Sequence, residues 1–434
     1  MADLTKTDKA WADILAAHPK IEAVTASGGI YEIEASEIKR FREPRLMTKF
    51  DTSANVPPTL KKLHLDVLPN SRHSYVLGKF NLYEPFPLDM DKKKSAHIAL
   101  PDFETLRIES LTSESNAINA LIVSKTLESF LDESELFETF NGRMGTNDFN
   151  FEVSLHDGTL SEIEVHAAQL EIDGGFESDN SVVIMEAKNV LHKDFHVRQL
   201  YFPYRKYLEV VHKPIRLVFS QYTNLTYYLH EYEFEDYHNY SSIKHLRTGV
   251  YTFEDTAIAA SDLIRVWSET LVKTDDNQNE SNIPFIQADR FEIVLALLEQ
   301  VASLEEGMLT SEVADFIGYT PRQADYYPSA GNYLGLFDRT ERGRIRLTPL
   351  ARKILTLGHR NRQLAYARLM FEHEIFHRLF PLTYESGTLP SWQEVLEVMH
   401  ELNVCNTDSA TGRRRAQSVI GWLKWLMLLP EDDL

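Results

Sequence analysis

The chain holds a single cysteine, Cys405, among its 434 residues. One thiol excludes an internal disulfide framework and a cysteine-rich zinc site. No apolar run reaches membrane-spanning length, and the first stretch, MADLTKTDKAWADILAAHPK, lacks the apolar heart of a signal peptide. A cytoplasmic chain without membrane contact is therefore expected. Neither GxxxxGK(S/T) nor GxGxxG occurs, so the common phosphate cradles of nucleotide-driven enzymes are missing. Positive charge is short as well. Lys and Arg number 45 against 65 Asp and Glu, a net charge of −20, which taken whole argues against a polyanionic partner.

The distribution of charge reverses part of that objection. Between Ile38 and Lys94, twelve basic residues, Arg45 and Lys49 among them, face six acidic ones. From Pro321 to Arg368, ten, including Arg322, Arg342, Arg344 and Arg346, face three. Local patches, not the total, decide where a polyanion docks. Each patch alone also reads as an ordinary solvated face.

What the chain does contain is EIDGGFESDNSVVIMEAKN, from Glu171 to Asn189. Asp173 ends one extended run; Glu186, Ala187 and Lys188 end another, Val182 to Met185. The two runs read as strands joined by a tight turn at Gly174-Gly175. Alternation on a strand points Glu186 and Lys188 one way and Ala187 the other. Two carboxylates can hold a divalent cation, and an ammonium can meet a phosphate and an attacking water. The bland alternative is a surface hairpin with a weak ion pair. Against it, unpaired charge on a nearly buried strand is costly and usually functional. Glu37-Ile38-Lys39 repeats the Glu-x-Lys letters but lacks both an upstream acid and an apolar strand.

Element by element, Glu32 to Phe41 reads as a helix and Ser74 to Tyr83 as extended. Ser113 caps a helix running to Leu131. Phe149 to Leu155, Ser161 to Asp173 and Ser181 to Lys188 read as consecutive strands. Asp194 to Val211 reads as a helix carrying Pro203, followed by strands Ile215 to Gln221 and Thr226 to Phe234. The aromatic run Tyr222 to Tyr240 could stack on bases, with core packing favoured. The polar run Lys273 to Asn282 has little to bury and reads as a linker. Beyond it, helices from Phe285, Glu312 and Thr320-Pro321, two short strands about Glu341-Arg342-Gly343 and a helix from Pro349 describe a winged helix-turn-helix, with the third helix entering a groove and the wing arginines reaching phosphates. The expected divisions are a basic N-terminal region (1–110) with a DNA-recognition role, a catalytic core (111–272), a linker (273–282), a winged helix (283–360) and a helical extension (361–434).

His373-Glu374-Ile375-Phe376-His377 matches HExxH, which on one helix face could bind zinc with Glu374 as base. Only Glu394 and Glu397 lie near enough downstream to serve as a third ligand, at no diagnostic spacing.

With these residues in place, the Asp173…Glu186-x-Lys188 layout resembles the PD-(D/E)XK nucleases. Several phrases look like prokaryotic type II restriction endonucleases: Glu43 to Lys49, Phe140-Asn141-Gly142-Arg143, EIDGGFE, IMEAKN, and Arg198 to Arg205. The likeness spans about residues 30 to 240, and Ile172 replaces the proline of the family's first motif. The resemblance implies an α/β fold, a restriction-endonuclease-like mixed sheet flanked by helices, with the winged helix as an accessory. It implies Mg²⁺-dependent cleavage of double-stranded DNA to 5′-phosphate ends, with Asp173, Glu186, the Ala187 carbonyl and Glu114 at the metal and Lys188 and Gln199 assisting catalysis. Arg45, Lys49, Arg143, Arg322, Arg342, Arg344 and Arg346 are the expected DNA contacts. A homodimer and a companion DNA methyltransferase follow from a palindromic target. The rival expectations are a non-catalytic winged-helix regulator, a methylation-dependent or repair nuclease, and a zinc hydrolase.

Overall fold

The computed structural model describes residues 5–87, 96–97, 103, 105–106, 111, 113–252, 257–273, 285–304, 306–319, 321–340, 343–404 and 410–430. At its centre lies a seven-stranded sheet, in spatial order Ala96–His97, Ile243–Thr252, Thr226–Phe234, Ile215–Thr223, Val182–Lys188, Gln169–Glu177 and Phe137–Gly145. Val182–Lys188 and Ile215–Thr223 run parallel, and helix Arg198–Leu208 lies on the connection between them. Period-two alternation sends Ile184 to one face, beside Leu200, Leu217 and Phe219. Val183, Met185 and Ala187 go to the other, against Ala117, Ile118 and Leu121 of helix Glu114–Val123. A strand buried on both faces has to be apolar along its whole length. Glu186 and Lys188 are the exceptions. The class is a mixed α/β sheet flanked by helices.

Several expected elements shift. Gly174 and Gly175 make no turn: they sit inside the Gln169–Glu177 strand, opposite Met185 and Ile184. The reversal falls at Ser178 to Ser181, where the Ser178 hydroxyl accepts from the backbone N–H groups of Asn180 and Ser181. Gly175 is needed for close approach instead, since a Cβ there would stand 2.3 Å from the Phe140 ring and 2.5 Å from its carbonyl oxygen. The stretch expected as one strand, Ser161 to Asp173, breaks near Ala167, whose φ is +46°. Its first part pairs as Leu160–Val165 with Phe149–Ser154 in a separate two-stranded sheet.

The Ser113 cap is present, its hydroxyl accepting from Asn116 N–H, but the helix divides at Lys125, whose φ is +55°. Glu32 to Phe41 divides as well. Tyr31–Glu34 is drawn into pairing with the Ser74–Gly78 strand, and only Ala35–Lys39 is helical. Asp194–His196 forms a short strand before the Arg198 helix. The aromatic run is core, with Tyr222, Tyr227, Tyr232 and Tyr240 buried.

On one side of the sheet, the residues before Gly78 build a three-stranded sheet around Trp11, Ile14, Met47, Leu60 and Leu77. Ser53 N–H donates to Asp194 at 2.8 Å, tying this part to the central one. Toward the C-terminus one apolar cluster runs from Ile258 to Leu426, joining Phe291 to Tyr366, Trp422 and Trp425. It contains helix Phe291–Ala302, strand Met308–Leu309, helices Thr310–Ile317, Pro321–Ala324 and Tyr326–Tyr333, and the pair Phe337–Arg339 and Arg344–Leu347. The three short strands form one antiparallel sheet with Arg344–Leu347 in the middle. This part docks on the central sheet through the Glu299 carboxylate. It accepts Asn224 N–H from the hairpin tip at 2.9 Å and pairs at 3.1 Å with the fully buried Arg362. No helix among the described residues is long and apolar enough to cross a membrane. Of the expected linker only Lys273 is described; the rest, like Arg342 and Cys405, lies outside the described residues.

Gly175→Ala is expected to lower unfolding stability by about 1–3 kcal/mol in urea titration. Adding Phe140→Ala should recover only part of the loss, because the clash with the Phe140 carbonyl oxygen persists.

Candidate active site

Asp173 stands where the Gln169–Glu177 strand passes the end of Val182–Lys188. Gly174 lies opposite Met185, and the next step brings Asp173 alongside, where its Oδ2 accepts the Ala187 N–H at 2.9 Å. Glu186 and Lys188 project from one face, as alternation requires. The Lys188 ammonium is the point on which the cluster converges. It lies 2.7 Å from Glu186 Oε1, 3.0 Å from the Ala187 carbonyl oxygen, 3.5 Å from Glu114 Oε1 and 3.8 Å from Asp173 Oδ2. Gln199, on the first turn of the Arg198–Leu208 helix, donates its Nε2 to Glu186 Oε1, which fixes that carboxylate from above the sheet. Glu114 arrives from the first turn of the opposite helix.

Burial shapes the charges. The Glu186 side chain is only 9% exposed, and burial pushes its carboxyl up to about 8, with Lys188 opposing and Asp173 reinforcing. Burial alone would lower the Lys188 ammonium, yet Glu186, Glu114 and Asp173 together hold it above its ordinary value. Burial likewise raises Glu114. The His192 imidazole is pushed down to about 4 by burial and by the Lys188 charge, so it is neutral at pH 7.

The cluster opens into a cleft of about 500 Å³. Beside it, Arg45, Lys49, Arg72, Arg143 and Arg198 line the walls. Arg143 pairs with Glu171 at 3.0 Å and Lys49 with Asp51 at 3.7 Å. Among the described residues, Arg45, Arg72 and Arg198 have no carboxylate in ion-pair reach, and Arg198 Nε is buried without a hydrogen-bond partner. Uncompensated guanidinium groups facing one cleft are suited to phosphate oxygens.

Of the residues singled out in the sequence, the structure gathers Asp173, Glu186, Ala187, Lys188, Gln199, Glu114, Arg45, Lys49 and Arg143 at this cleft. Arg322, Arg344 and Arg346 lie elsewhere, in the C-terminal part. Arg344 donates to the Gly307 carbonyl and Arg346 to that of Glu306. Arg72 and Arg198 went unassigned. Arg198 directly precedes Gln199, a signal available in the sequence; Arg72 is one cation in a basic run and carries no mark of its own. His373 and His377 do not share a helix face, since that helix begins at Glu374 with His373 as its N-cap. The His373 ring stacks on Tyr333 and the His377 ring lies against Trp267.

Among the described residues no three His, Cys, Asp or Glu side chains are grouped to hold a metal. The donors present are two carboxylates, Asp173 and Glu186, and the Ala187 carbonyl. That hard-oxygen set suits Mg²⁺, which commonly takes one or two carboxylates and completes its shell with water and substrate phosphate.

Three family models match successive stretches of the chain, each described as a domain of unknown function: DUF6996 over residues 8–77, DUF6997 over 78–252 and DUF7226 over 293–431. No curated protein and no solved structure gives a significant match. The carboxylates and Lys188 fall in the middle stretch, while Arg45, Lys49 and Arg72 fall in the first, so two separately matched regions share the cleft.

Glu186→Gln tests the burial of this carboxylate. With its folded value above the unfolded one, native Glu186 keeps a proton that the unfolded chain loses between about pH 4.5 and 8. Wild-type stability therefore falls as pH rises through that window. In EDTA the variant's advantage over wild type should widen by roughly 1–3 kcal/mol from pH 5 to 8.5. A difference independent of pH would mean that Glu186 is ionised throughout.

Proposed function

We propose that this chain is a Mg²⁺-dependent endodeoxyribonuclease of the PD-(D/E)XK kind, acting on double-stranded DNA as a type II restriction endonuclease. The observation that carries the reading is the meeting of Asp173, Glu186 and Lys188, at the ends of two adjacent strands, with Gln199 of the neighbouring helix, inside a cleft walled by arginines that include three without an acidic partner among the described residues. A parallel strand pair with a helix on its connection, carrying the Glu-x-Lys strand, supports the restriction-endonuclease-like fold.

Asp173, Glu186 and the Ala187 carbonyl would hold the cation, with Glu114 close behind Lys188. When bound, Mg²⁺ polarises the scissile phosphate and acidifies water. The chain's own groups do the rest. Lys188 donates hydrogen bonds to the attacking water and to the phosphate oxygen on which negative charge grows. Gln199 holds Glu186 in place, and Asp173 is oriented by the Ala187 N–H. Arg45, Arg72 and Arg198 hold the flanking phosphates, so that water attacks phosphorus in line with the departing 3′ oxygen. A P–O bond forms to the water oxygen, whose proton passes to solvent, as the P–O3′ bond breaks; the 3′ oxygen takes a proton from solvent and leaves as a hydroxyl, and the phosphate stays on the 5′ end.

The order helix, short strand, helix, helix, two-stranded hairpin in the C-terminal part supports the winged-helix reading. Its third helix is divided into Pro321–Ala324 and Tyr326–Tyr333. Arg322 and Arg346 are exposed there, placed to contact a DNA backbone. A palindromic target cut on both strands calls for two copies of the site, hence a homodimer, and for a companion methyltransferase that protects the host sequence.

Wild-type protein should linearise or fragment plasmid DNA with Mg²⁺ and leave it intact in EDTA. Lys188→Ala and Asp173→Ala should each cut more than about 10²-fold more slowly while retaining DNA binding; full activity in either variant would end the assignment. Arg45→Ala, Arg72→Ala and Arg198→Ala should each reduce the salt dependence of DNA binding by about one ion. An unchanged slope in all three would remove the arginines from the interface.

A further inference from the structure

A second cavity, of about 400 Å³, adjoins the main cleft, and Lys49, Asp51, Glu114 and Lys188 line both. Its remaining walls differ in chemistry. The main cleft is ringed by arginines; the second cavity presents three amides, Asn55, Asn189 and Gln300, the neutral His192 imidazole and the Phe316 ring. Each amide offers a donor and an acceptor side by side, the pattern that complements the edge of a nucleobase. A phenyl ring offers a stacking face that any base can use. Asn55 Oδ1 and Asn189 Oδ1 have no hydrogen-bond partner among the described residues, and both are shielded from solvent, so these two amides meet a base through their NH₂ groups or after a small rotation. Native structures leave few polar atoms in that condition, and those that remain call for a reason.

The walls are held in place before any ligand arrives. Asn55 comes from the first part of the chain, Asn189 and His192 from the central part, Gln300 and Phe316 from the last. Asp194 ties the first to the central part through Ser53, and His196 N–H donates to the Asp51 carbonyl at 2.9 Å. Glu299, the neighbour of Gln300, joins the last part to the Asn224 hairpin and is itself held by Arg362 of the same part. Asn55 Oδ1 lies so close to Gly318 that a Cβ there would come within 2.3 Å. The cavity is of a size that small ligands occupy, roughly 300–1,000 Å³, and one base fits within it.

We propose that this second cavity receives a nucleobase of the substrate, turned out of the stack beside the phosphate held at Lys188. Phe316 covers its face, and Asn55, Asn189 and Gln300 read its edge. The inference rests on the nuclease reading above and adds to it a base-specific pocket next to the scissile bond. Turning a base out costs a few kcal/mol, and least where its pairing is already lost. A protein that uses such a pocket therefore binds more tightly when the target base is kept and its partner is changed to a mismatch.

The experiment maps the cut on plasmid DNA with Mg²⁺. Dissociation constants are then measured, with Ca²⁺ in place of Mg²⁺, for duplexes carrying a single mismatch at each position flanking the cut. At one position the mismatch should tighten wild-type binding on the order of tenfold. Phe316→Ala should bind paired DNA more weakly than wild type and lose that gain altogether. Asn189→Ala serves the same purpose if the first variant does not fold, with folding followed by thermal melting. If wild type cuts DNA but no mismatch tightens binding, or if the folded variants keep the gain, the base pocket is overturned and the nuclease reading stands. If wild type cuts no DNA, both fall together.

Discussion

A single ammonium, that of Lys188, balances the charge at the heart of this molecule. Glu186 and Asp173 come from two strands and are largely screened from water, while Glu114, still partly open to solvent, reaches the same ammonium from a helix. Without a cation between them, like charges would face one another where water screens them poorly. Lys188 supplies that cation from the same strand as Glu186, two residues on, so no separate element has to deliver it. The arrangement demands that the Glu186 strand be apolar everywhere else, that helices cover both faces, and that the neighbouring strand come near enough for Asp173 to reach the Ala187 amide.

The same geometry organises the rest of the chain. The central sheet offers its strand ends, and the parts before and after it are pinned to it, one through Asp194, the other through Glu299. Charge is sorted along the groove that results. Arginines gather in the main cleft, while amides and a phenyl ring gather in the adjoining cavity. The overall charge of −20 says nothing of this sorting. A field is felt locally, and a few cations facing one cleft outweigh a distant acidic surface.

How much was legible in the residues differs from element to element. That Glu186 and Lys188 share one face followed from strand alternation and an apolar run, both local properties. The Gly-Gly pair misled because glycine serves two ends: it permits a turn, and it permits close approach. Only the presence of the Phe140 ring over Gly175 shows that the second applies. Glu32 to Glu34 reads as helix in the sequence because the strand it pairs with lies some forty residues away. The edge strand Phe137–Gly145 escaped notice because an exposed, bulged strand carries no apolar alternation. Arg72 could not be told from its neighbours in a basic run, since what distinguishes it is the wall it faces.

By itself, the order of residues determined the class of the central sheet, the strand that carries Glu186 and Lys188, the cap at Ser113 and the residue types able to meet a phosphate. These depend on interactions within a few positions, where spacing is set by the period of the backbone. Tertiary structure alone decided that Asp173 stands beside Ala187, that Gln199 and Glu114 close on the same point from opposite faces, and that three regions separated by hundreds of residues wall one groove. Such meetings depend on which faces pack together, and packing is a property of the whole folded chain.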